Sequence, residues 1–358
     1  DGEAIENTLK RGKVSGWKVD QDGFELGGAV IGLFRFDETE FTEETAIMVT
    51  ESNEIGYFEF DNVPAGNFLV REIASPEAFV LTEEIFPVEI TEDGQTIEIT
   101  IENQIIKGTA ETIKVDADYP DHKLSGAVFE VYADVDNNGE FNADIDKLAG
   151  EMTETEPGLY QMKDLVYRNY FLHEKEAPEF FEKDDGYYPF SITENEAIVR
   201  IETEAGEGFL NKAQTGSLKV VKTADDDKVE GRTFKISGTD FMGNAYEQEF
   251  KTDENGEINL TLRVGEYTVS EVAGEDSEKY ILPDDQTVEI KAGETTTVKM
   301  HNKLVPEVPS VPQTGDNPWM PAILGTLAGL AVLSGGALLF LRYTGKKRKS
   351  ADQADEDQ

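Results

Sequence analysis

Three sets of one lysine, one glutamate and one asparagine recur along the chain, and their residue types could do chemistry together. In the third set, Lys222, Glu271 and Asn302 each follow apolar residues two and four positions earlier. Because strand side chains alternate between faces with period two, these polar groups share the core face with their apolar neighbours. A lysine, a carboxyl and a carboxamide are costly to bury together unless they pair or react. The pattern therefore predicts an internal chemical site.

The same spacing occurs twice upstream. Each copy opens with a glycine six residues before its lysine, and the two upstream sets are Lys18, Glu72 and Asn103, and Lys114, Glu174 and Asn211. The lysine and the asparagine of one set lie between 80 and 97 residues apart. Repetition over this length predicts a string of similar domains rather than a short-period solenoid.

The segments that carry these residues are predicted to be short strands. In the first copy the alternating pattern predicts strands over 13–19, 29–36, 57–60, 67–73 and 96–102. Asp93-Gly94 predicts a tight hairpin turn before the last of them. Regular short strands without a convincing amphipathic helix predict an all-β chain of three tandem antiparallel, immunoglobulin-like β-sandwiches.

The predicted organisation follows from these repeats and from the changes in composition between them. Its parts are the end of a preceding segment at 1–11, sandwiches at 12–105, 106–212 and 213–304, a proline-rich linker and motif at 305–315, an apolar span at 316–341 and a charged tail at 342–358. The linkers between sandwiches are only a few residues long. We therefore expect restricted, rod-like stacking.

Composition excludes several classes of function. The chain of 358 residues has no cysteine and a net charge of −42. It therefore has no disulfide and no thiol nucleophile, and its surface repels nucleic acid. The sequence also shows no nucleophile–base pair, metal cluster or phosphate loop, so we expect neither an enzyme nor a cofactor.

The C-terminal region predicts a membrane span. Residues 319–341 carry no charge, and as a helix they would reach about 35 Å, enough to cross a bilayer. The basic cluster Arg342, Lys346, Lys347, Arg348 and Lys349 would keep the following end cytoplasmic. Since an exported protein needs a leader and the sequence begins at Asp1, we expect it to start inside a longer precursor.

An acidic insertion in the second copy partly follows the calcium-loop pattern. Asp134, Asp136, Asn138 and Asn142 occupy ligand positions around Gly139. Ile145 stands where a bidentate glutamate is expected, with Asp144 and Asp146 on either side. The missing ligand favours an acidic hairpin tip without a metal, and calcium binding stays open as the alternative.

A short motif before the apolar span resembles a sorting signal. Val311, Pro312, Gln313, Thr314 and Gly315, then the span, then basic residues, resemble the Leu-Pro-x-Thr-Gly cell-wall sorting signal of Gram-positive surface proteins. Val311 replaces the leucine, and an acidic extension follows the basic cluster. The resemblance implies transient membrane insertion, cleavage by a sortase between Thr314 and Gly315, and attachment of Thr314 to peptidoglycan.

The repeats resemble the prealbumin-like B-type domains of collagen adhesins and pilins, the Cna-B/SpaA type. The resemblance covers residues 12–304 and rests on the closing asparagines, on Leu26-Gly-Gly-Ala-Val30 and Leu124-Ser-Gly-Ala-Val-Phe129, and on Glu72-x-x-x-Pro76 and Glu174-x-x-x-Pro178. In the third copy Glu275 stands in place of the proline. The resemblance implies a prealbumin-like fold.

The same resemblance implies a covalent bond inside each domain. The lysine and the asparagine of each set would condense into an isopeptide bond, with Glu72, Glu174 and Glu271 as the catalytic acids of this self-modification. The alternative is a buried Lys–Glu salt bridge with the asparagine hydrogen-bonded beside it. Ala110 and Thr112 give the second copy a poorer apolar face before its lysine.

The sequence therefore predicts a secreted, wall-anchored stalk of an adhesin, held by three locked domains. One alternative is that the domains themselves bind a host extracellular-matrix protein. Another is a pilus subunit, although Tyr119-Pro-Asp-His-Lys123 lacks the lysine position of a pilin-type Tyr-Pro-Lys motif.

Overall fold

The alternating segments of the first repeat form seven β-strands in two facing sheets. The computed structural model describes residues 9–204 and 206–307. The strands of the first sandwich are β1 (Arg11–Asp20), β2 (Val30–Arg35), β3 (Met48–Glu51), β4 (Tyr57–Pro64), β5 (Gly66–Ala74), β6 (Phe86–Ile90) and β7 (Thr96–Asn103). They form one sheet in the order β4-β1-β7 and another in the order β3-β2-β5-β6.

The second repeat forms a similar sandwich with a divided last strand. Its strands are β8 (Lys107–Asp116), β9 (Val128–Ala133), β10 (Lys147–Glu151), β11 (Thr153–Glu156), β12 (Leu159–Val166), β13 (Arg168–Glu176), β14 (Tyr187–Ile192), β15 (Ile198–Arg200) and β16 (Phe209–Asn211). One sheet has the order β11-β12-β8-β15, with β16 also paired to β8, and the other has the order β10-β9-β13-β14.

The third repeat completes the series. Its strands are β17 (Thr215–Ala224), β18 (Thr233–Asp240), β19 (Ala245–Lys251), β20 (Glu257–Arg263), β21 (Gly265–Glu271), β22 (Tyr280–Ile281), β23 (Gln286–Ile290) and β24 (Thr295–Leu304), with a 3₁₀ turn at Ser277–Lys279. The sheets have the orders β20-β17-β24-β22 and β19-β18-β21-β23. The prediction of three all-β sandwiches is confirmed.

The first and last strands of every sandwich are neighbours and run parallel. β1 pairs with β7, β8 with β15 and β16, and β17 with β24 in parallel register, while the other strand pairs are antiparallel. The sequence predicted only antiparallel pairing, because hairpin signals report neighbours along the chain and not the partners of chain ends. The chain therefore enters and leaves each sandwich along two hydrogen-bonded strands.

Each sandwich has its own apolar core between the sheets. In the first, Val14 and Phe58 of one sheet pack with Leu33 and Val70 of the other, and all four are essentially inaccessible to solvent. Equivalent clusters fill the second and third sandwiches. Burial of these side chains is the main favourable term that holds the sheets together.

The strand predictions for the first sandwich were incomplete in two places. All five predicted strands are present, but β3 and β6 were missed. Both are edge strands, and β6 contains Pro87, which an edge tolerates because its missing N–H faces no partner. The Asp93-Gly94 turn is present, with Gly94 at φ +74°, but it does not close a hairpin. It connects β6 and β7, which lie in different sheets.

Several predicted features fall outside the described residues. These are the motif 311–315, the apolar span 319–341, the tail 342–358 and most of the segment 1–11. Among residues 9–204 and 206–307, no helix is long and apolar enough to cross a membrane.

Candidate functional site

The lysine and the asparagine of each set occupy the same relative positions in all three sandwiches. Lys18 lies opposite Ile101 in the parallel register, Lys114 opposite Phe209, and Lys222 opposite Met300. In each case the asparagine is two residues beyond the register partner, so it points to the same face of the sheet as the lysine. The two side chains are therefore diagonal neighbours on adjacent strands.

The glutamates come from the opposite sheet. They lie on β5, β13 and β21, and their side chains meet the lysine and the asparagine in the space between the sheets. We call each lysine, glutamate and asparagine set a triad. Eight of the nine residues are at most 2 % exposed, and the ninth, Glu271, has a side chain 3 % exposed. The alternation in the sequence thus placed all nine correctly in the interior.

In the first triad the acid contacts both partners. Lys18 Nζ lies 3.7 Å from Glu72 Oε1 and donates to the Ile101 carbonyl at 3.2 Å. Asn103 Nδ2 donates to the same Oε1 at 2.9 Å. One carboxyl oxygen therefore lies between the amine and the amide nitrogen, where it can pass a proton from one to the other.

In the second triad the lysine lies closer to the glutamate than in the first, and an aromatic ring contacts the amine. Lys114 Nζ lies 3.1 Å from Glu174 Oε1 as an ion pair without hydrogen-bond geometry. Asn211 Nδ2 is 2.9 Å from both carboxyl oxygens. The amine also lies 4.3 Å from the ring centre of Phe209, within cation–π distance. The buried Thr112 fits this face because its hydroxyl donates to the Ile201 carbonyl.

The third triad has the shortest amine–acid contact. Lys222 Nζ donates to Glu271 Oε2 at 2.8 Å, and Asn302 Nδ2 donates to Oε1 at 2.8 Å. The two carboxyl oxygens are thus divided between the two partners. As in the other two triads, the glutamate touches both the lysine and the asparagine.

Burial favours the neutral forms of the three triad lysines and of Glu72. It lowers the pKa of Lys18 to about 8 and that of Lys114 to about 8, although the nearby glutamates oppose the change. The pKa of Lys222 is lowered for the same reason. Burial also raises the pKa of Glu72 above its ordinary value, against the opposing effect of Lys18. Burial thus favours the uncharged amine in all three lysines, and in the first triad it also favours the protonated acid.

The three asparagine carbonyl oxygens are buried without hydrogen-bond partners. They are Oδ1 of Asn103, of Asn211 and of Asn302, and no described group donates to them. A buried carbonyl in this state costs free energy. The same feature occurs in all three sandwiches, with the amide nitrogen toward the acid and the carbonyl oxygen unpaired among the described residues.

Sequence reasoning missed a loop that pairs with the chain just beyond the asparagine in every sandwich. An aromatic residue, Phe79, Phe181 or Tyr280, follows the glutamate by seven to nine residues and pairs through its backbone with the residue two beyond the asparagine. In the first two sandwiches this loop also donates a backbone N–H to the glutamate, from Thr82 at 3.1 Å and Asp184 at 2.8 Å. The sequence signal was the proline of the first two copies followed by an aromatic residue.

A glycine turn also supports each lysine from the backbone. The N–H of Lys18, Lys114 and Lys222 donates to the carbonyl of Gly56, Gly158 and Gly256, respectively, at 2.7–2.8 Å. All three glycines have φ between +72° and +76°. The equivalent turns therefore hold the lysine-bearing strand at a fixed point.

The calcium candidates of the second sandwich lie between β9 and β10. The structure groups the carboxylates of Asp134, Asp136 and Asp146, which have oxygen atoms within 4.8 Å of one another. Asn138 donates to Asp136 at 3.0 Å, and Asn142 accepts the backbone N–H of Asp144 at 3.0 Å. The sequence pattern gave Asn142 as the last candidate ligand. The structure places the carboxylate of Asp146 with those of Asp134 and Asp136.

The family of the chain follows from comparison of its sequence with known families. The model of the SpaA family, a prealbumin-like fold domain, matches residues 12–105, 108–207 and 216–304. These ranges cover most of the chain. The chain therefore belongs to the SpaA family of prealbumin-like domains and contains three tandem copies. No curated protein matches the sequence significantly.

Comparison with solved structures finds one of similar fold and others that match more weakly. The Bacillus anthracis TIE protein is 24 % identical, with a TM-score of 0.60, and the match covers 82 % of this chain and 51 % of that one. This chain thus spans about half the length of that protein. The Bacillus cereus major pilin subunit BcpA is 15 % identical over 83 % of this chain and all of that one, with a TM-score of 0.37. The major pilin SpaD of Corynebacterium diphtheriae is 14 % identical over 83 % and 98 %, with a TM-score of 0.25.

Proposed function

We propose that this chain is the C-terminal stalk of a wall-anchored surface protein of a Gram-positive bacterium, and that each of its three domains is locked by a Lys–Asn isopeptide bond. The observation that supports the locks is the threefold recurrence of a buried triad with one register. In each, the glutamate contacts both the amine and the amide nitrogen. A chance salt bridge would not require the asparagine at the same offset three times.

The proposed bond forms by proton transfer, attack of the amine on the amide carbon and loss of ammonia. The glutamate carboxylate takes a proton from the lysine ammonium, which leaves a neutral amine and a carboxylic acid. The amine nitrogen attacks the asparagine Cγ, the C–N bond to Nδ2 breaks, and the acid supplies the proton with which Nδ2 leaves as ammonia. The amine gives up its remaining excess proton to the carboxylate. Folding supplies the proximity that makes this single-turnover reaction fast.

The bond would serve a mechanical purpose. It joins the first strand to the neighbouring last strand, so a pull between the chain ends passes through the bond rather than through the 80 to 97 residues in between. Closing a loop of this length stabilises a domain by about 4–5 kcal/mol in the chain-entropy model. A chain without cysteine has no disulfide for this task.

Intact-mass measurement tests the locks. For recombinant residues 1–307 we expect a deficit of three ammonia molecules. Each of Glu72→Ala, Glu174→Ala and Glu271→Ala should restore one of them, because the proton carrier of that triad is lost. Glu266→Ala removes an exposed acid from the same strand as Glu271 and should keep the full deficit. A wild-type chain of unmodified mass would reject the proposal.

Anchoring is tested separately on the full chain in a Gram-positive host. We expect the chain to be covalently bound to peptidoglycan through Thr314 after cleavage by a sortase, and Thr314→Ala should release it from the wall fraction. High-molecular-weight ladders in wall extracts would favour the pilus subunit over a monomeric stalk. Unchanged wall attachment of Thr314→Ala would contradict the sorting motif.

A further inference from the structure

The loop between β9 and β10 gathers three carboxylates at the side of the second sandwich. Oxygen atoms of Asp134, Asp136 and Asp146 all lie within 4.8 Å of one another. Asp134 and Asp146 are only 2 % and 4 % exposed, whereas Asp136 faces solvent. Three like charges this close repel strongly, and two of them have little water to screen the repulsion.

No described side chain neutralises this group. None of the ion pairs within residues 9–204 and 206–307 includes any of the three aspartates. In addition, Asp134 Oδ1 is buried without a hydrogen-bond partner in this part of the chain. A buried, unpartnered carboxylate oxygen next to two other carboxylates indicates a place for a cation.

The remaining oxygens of the two buried aspartates are fixed by the loop backbone. Gly139 N–H donates to Asp134 Oδ2 at 3.0 Å, and Val135 N–H and Asn142 N–H donate to the two oxygens of Asp146 at 2.9 and 2.7 Å. The backbone of the loop thus holds both carboxylates in place. Such preorganisation reduces the cost of binding an ion.

Aromatic packing attaches the same loop to the domain. Phe141 stacks on Tyr187 of β14 with ring centres 3.7 Å apart, and Tyr187 stacks on His173 of β13 at 4.2 Å. His173 directly precedes the triad residue Glu174. An ion that orders the loop would therefore stabilise the sheet that carries the acid of the second triad.

We propose that residues 134–146 bind one Ca²⁺ ion through the carboxylates of Asp134, Asp136 and Asp146. Hard carboxylate oxygens suit calcium, and the loop's irregular spacing suits a cation that tolerates flexible geometry better than Mg²⁺ does. The sequence alone favoured an acidic tip without metal, because the twelfth position is Ile145. The structure brings in Asp146, one residue later, which that pattern did not count. The lack of a bidentate glutamate sets a modest affinity, with Kd of about 10⁻⁴ M.

Isothermal titration of the full chain with CaCl₂ tests the site, in about 0.15 M NaCl to screen the acidic surface. We expect one saturable site in the wild type. Asp136→Asn and Asp146→Asn should each weaken the calcium affinity on the order of 10- to 100-fold. Asp144→Asn removes a neighbouring carboxylate outside the group and should change Kd by less than about twofold. Absence of saturable binding up to about 5 mM CaCl₂, or equal weakening by all three variants, would overturn the proposal.

Thermal unfolding separates lost binding from lost folding. In the wild type, CaCl₂ should raise the Tm of the transition that contains the second sandwich, because the ion binds only the folded loop. Asp136→Asn, whose exposed side chain is not needed for the fold, should unfold at or above the calcium-free Tm of the wild type, because one of the repelling charges is gone, and should lose the shift. A full calcium shift in this variant would contradict the assignment. The isopeptide mass deficit is independent of this result.

Discussion

At the scale of single residues, the triads show how burial and pairing compete. Each amine is removed from water, which favours the neutral form, while the adjacent glutamate favours the charged form. Burial is the larger effect for Lys18, whose pKa falls to about 8. If the isopeptide bond forms, the nitrogen becomes an amide and no longer titrates. The free lysine is therefore detectable only in a variant that does not react.

The pH dependence of Asn103→Ala should reveal this lysine. Below about pH 8 the folded and the unfolded chains both hold its proton. Between about pH 8 and the ordinary value of 10.5 only the unfolded chain does, so the free energy of unfolding rises with pH by roughly 3 kcal/mol. Glu72, with its raised pKa, acts oppositely: stability falls as pH rises through a window that starts at its ordinary value of 4.5.

The measurement uses denaturant unfolding of residues 1–307 followed by tryptophan fluorescence. Trp17 is the only tryptophan of this segment and lies beside Lys18, so it reports on the first sandwich. The double variant Lys18→Met/Asn103→Ala should lose the alkaline rise. An equal rise in both variants would show that other groups cause it.

At the scale of elements, the glycine turns before β4, β12 and β20 determine where the lysine-bearing strands lie. A Cβ atom at Gly56 would come within 2.4 Å of the Lys18 carbonyl oxygen, and the corresponding distance at Gly256 to Lys222 is 2.7 Å. These glycines therefore serve two needs, a positive φ and a close backbone approach. Only the first need can be inferred from a turn signal in the sequence.

Gly56→Ala and Gly94→Ala separate the two needs within one sandwich. Gly94 has φ +74° and nothing within 4 Å of its Cβ position, so its substitution should cost only the conformational strain, roughly 1 kcal/mol. Gly56, at φ +72°, should cost a further 1–3 kcal/mol, roughly, because the Lys18 backbone must move. Trp17 fluorescence during denaturant unfolding measures both. Equal costs would mean that the close approach relaxes freely.

At the scale of the whole molecule, the second and third sandwiches share a buried ionic joint. Arg263 of β20 lies 2.5 Å from Asp116 at the end of β8, and 3.1 Å from Asp240. The rings of Phe181 and Phe241 surround its guanidinium group. Asp116 is also the register partner of Asn211, so the joint connects the paired first and last strands of the second sandwich to the third.

Arg263→Met should uncouple the two sandwiches. It leaves the fully buried Asp116 and the nearly buried Asp240 without a cation, at a cost of roughly 3–5 kcal/mol. We expect calorimetry of residues 1–307 to show the shared transition of the second and third sandwiches split in two. Lys235→Met removes an exposed ion pair with Glu247 and should change stability by less than about 1 kcal/mol. A single unsplit transition in Arg263→Met would refute the coupling.

From the sequence alone one could predict the number of sandwiches, most strands of the first one and the nine residues of the triads. These depend on period-two alternation and on repetition, which are local or statistical properties of the chain. For the same reason, burial of Lys18 or Glu271 could be predicted without knowing what lies across the core. The edge strand β6 was missed although it alternates, because Pro87 argues against a strand and only an edge position tolerates it.

Which groups come into contact depends on the folded arrangement of the strands and loops. Several contacts join parts of the chain that are separated in sequence. They are the parallel pairing of first and last strands, the offset of each asparagine from its lysine, the loop at Glu72 and Glu174, the inclusion of Asp146 beside Asp134 and the position of Arg263 between two aspartates. Such contacts arise when two sheets close over a shared core, and no pattern within a single strand encodes the partner on the other side.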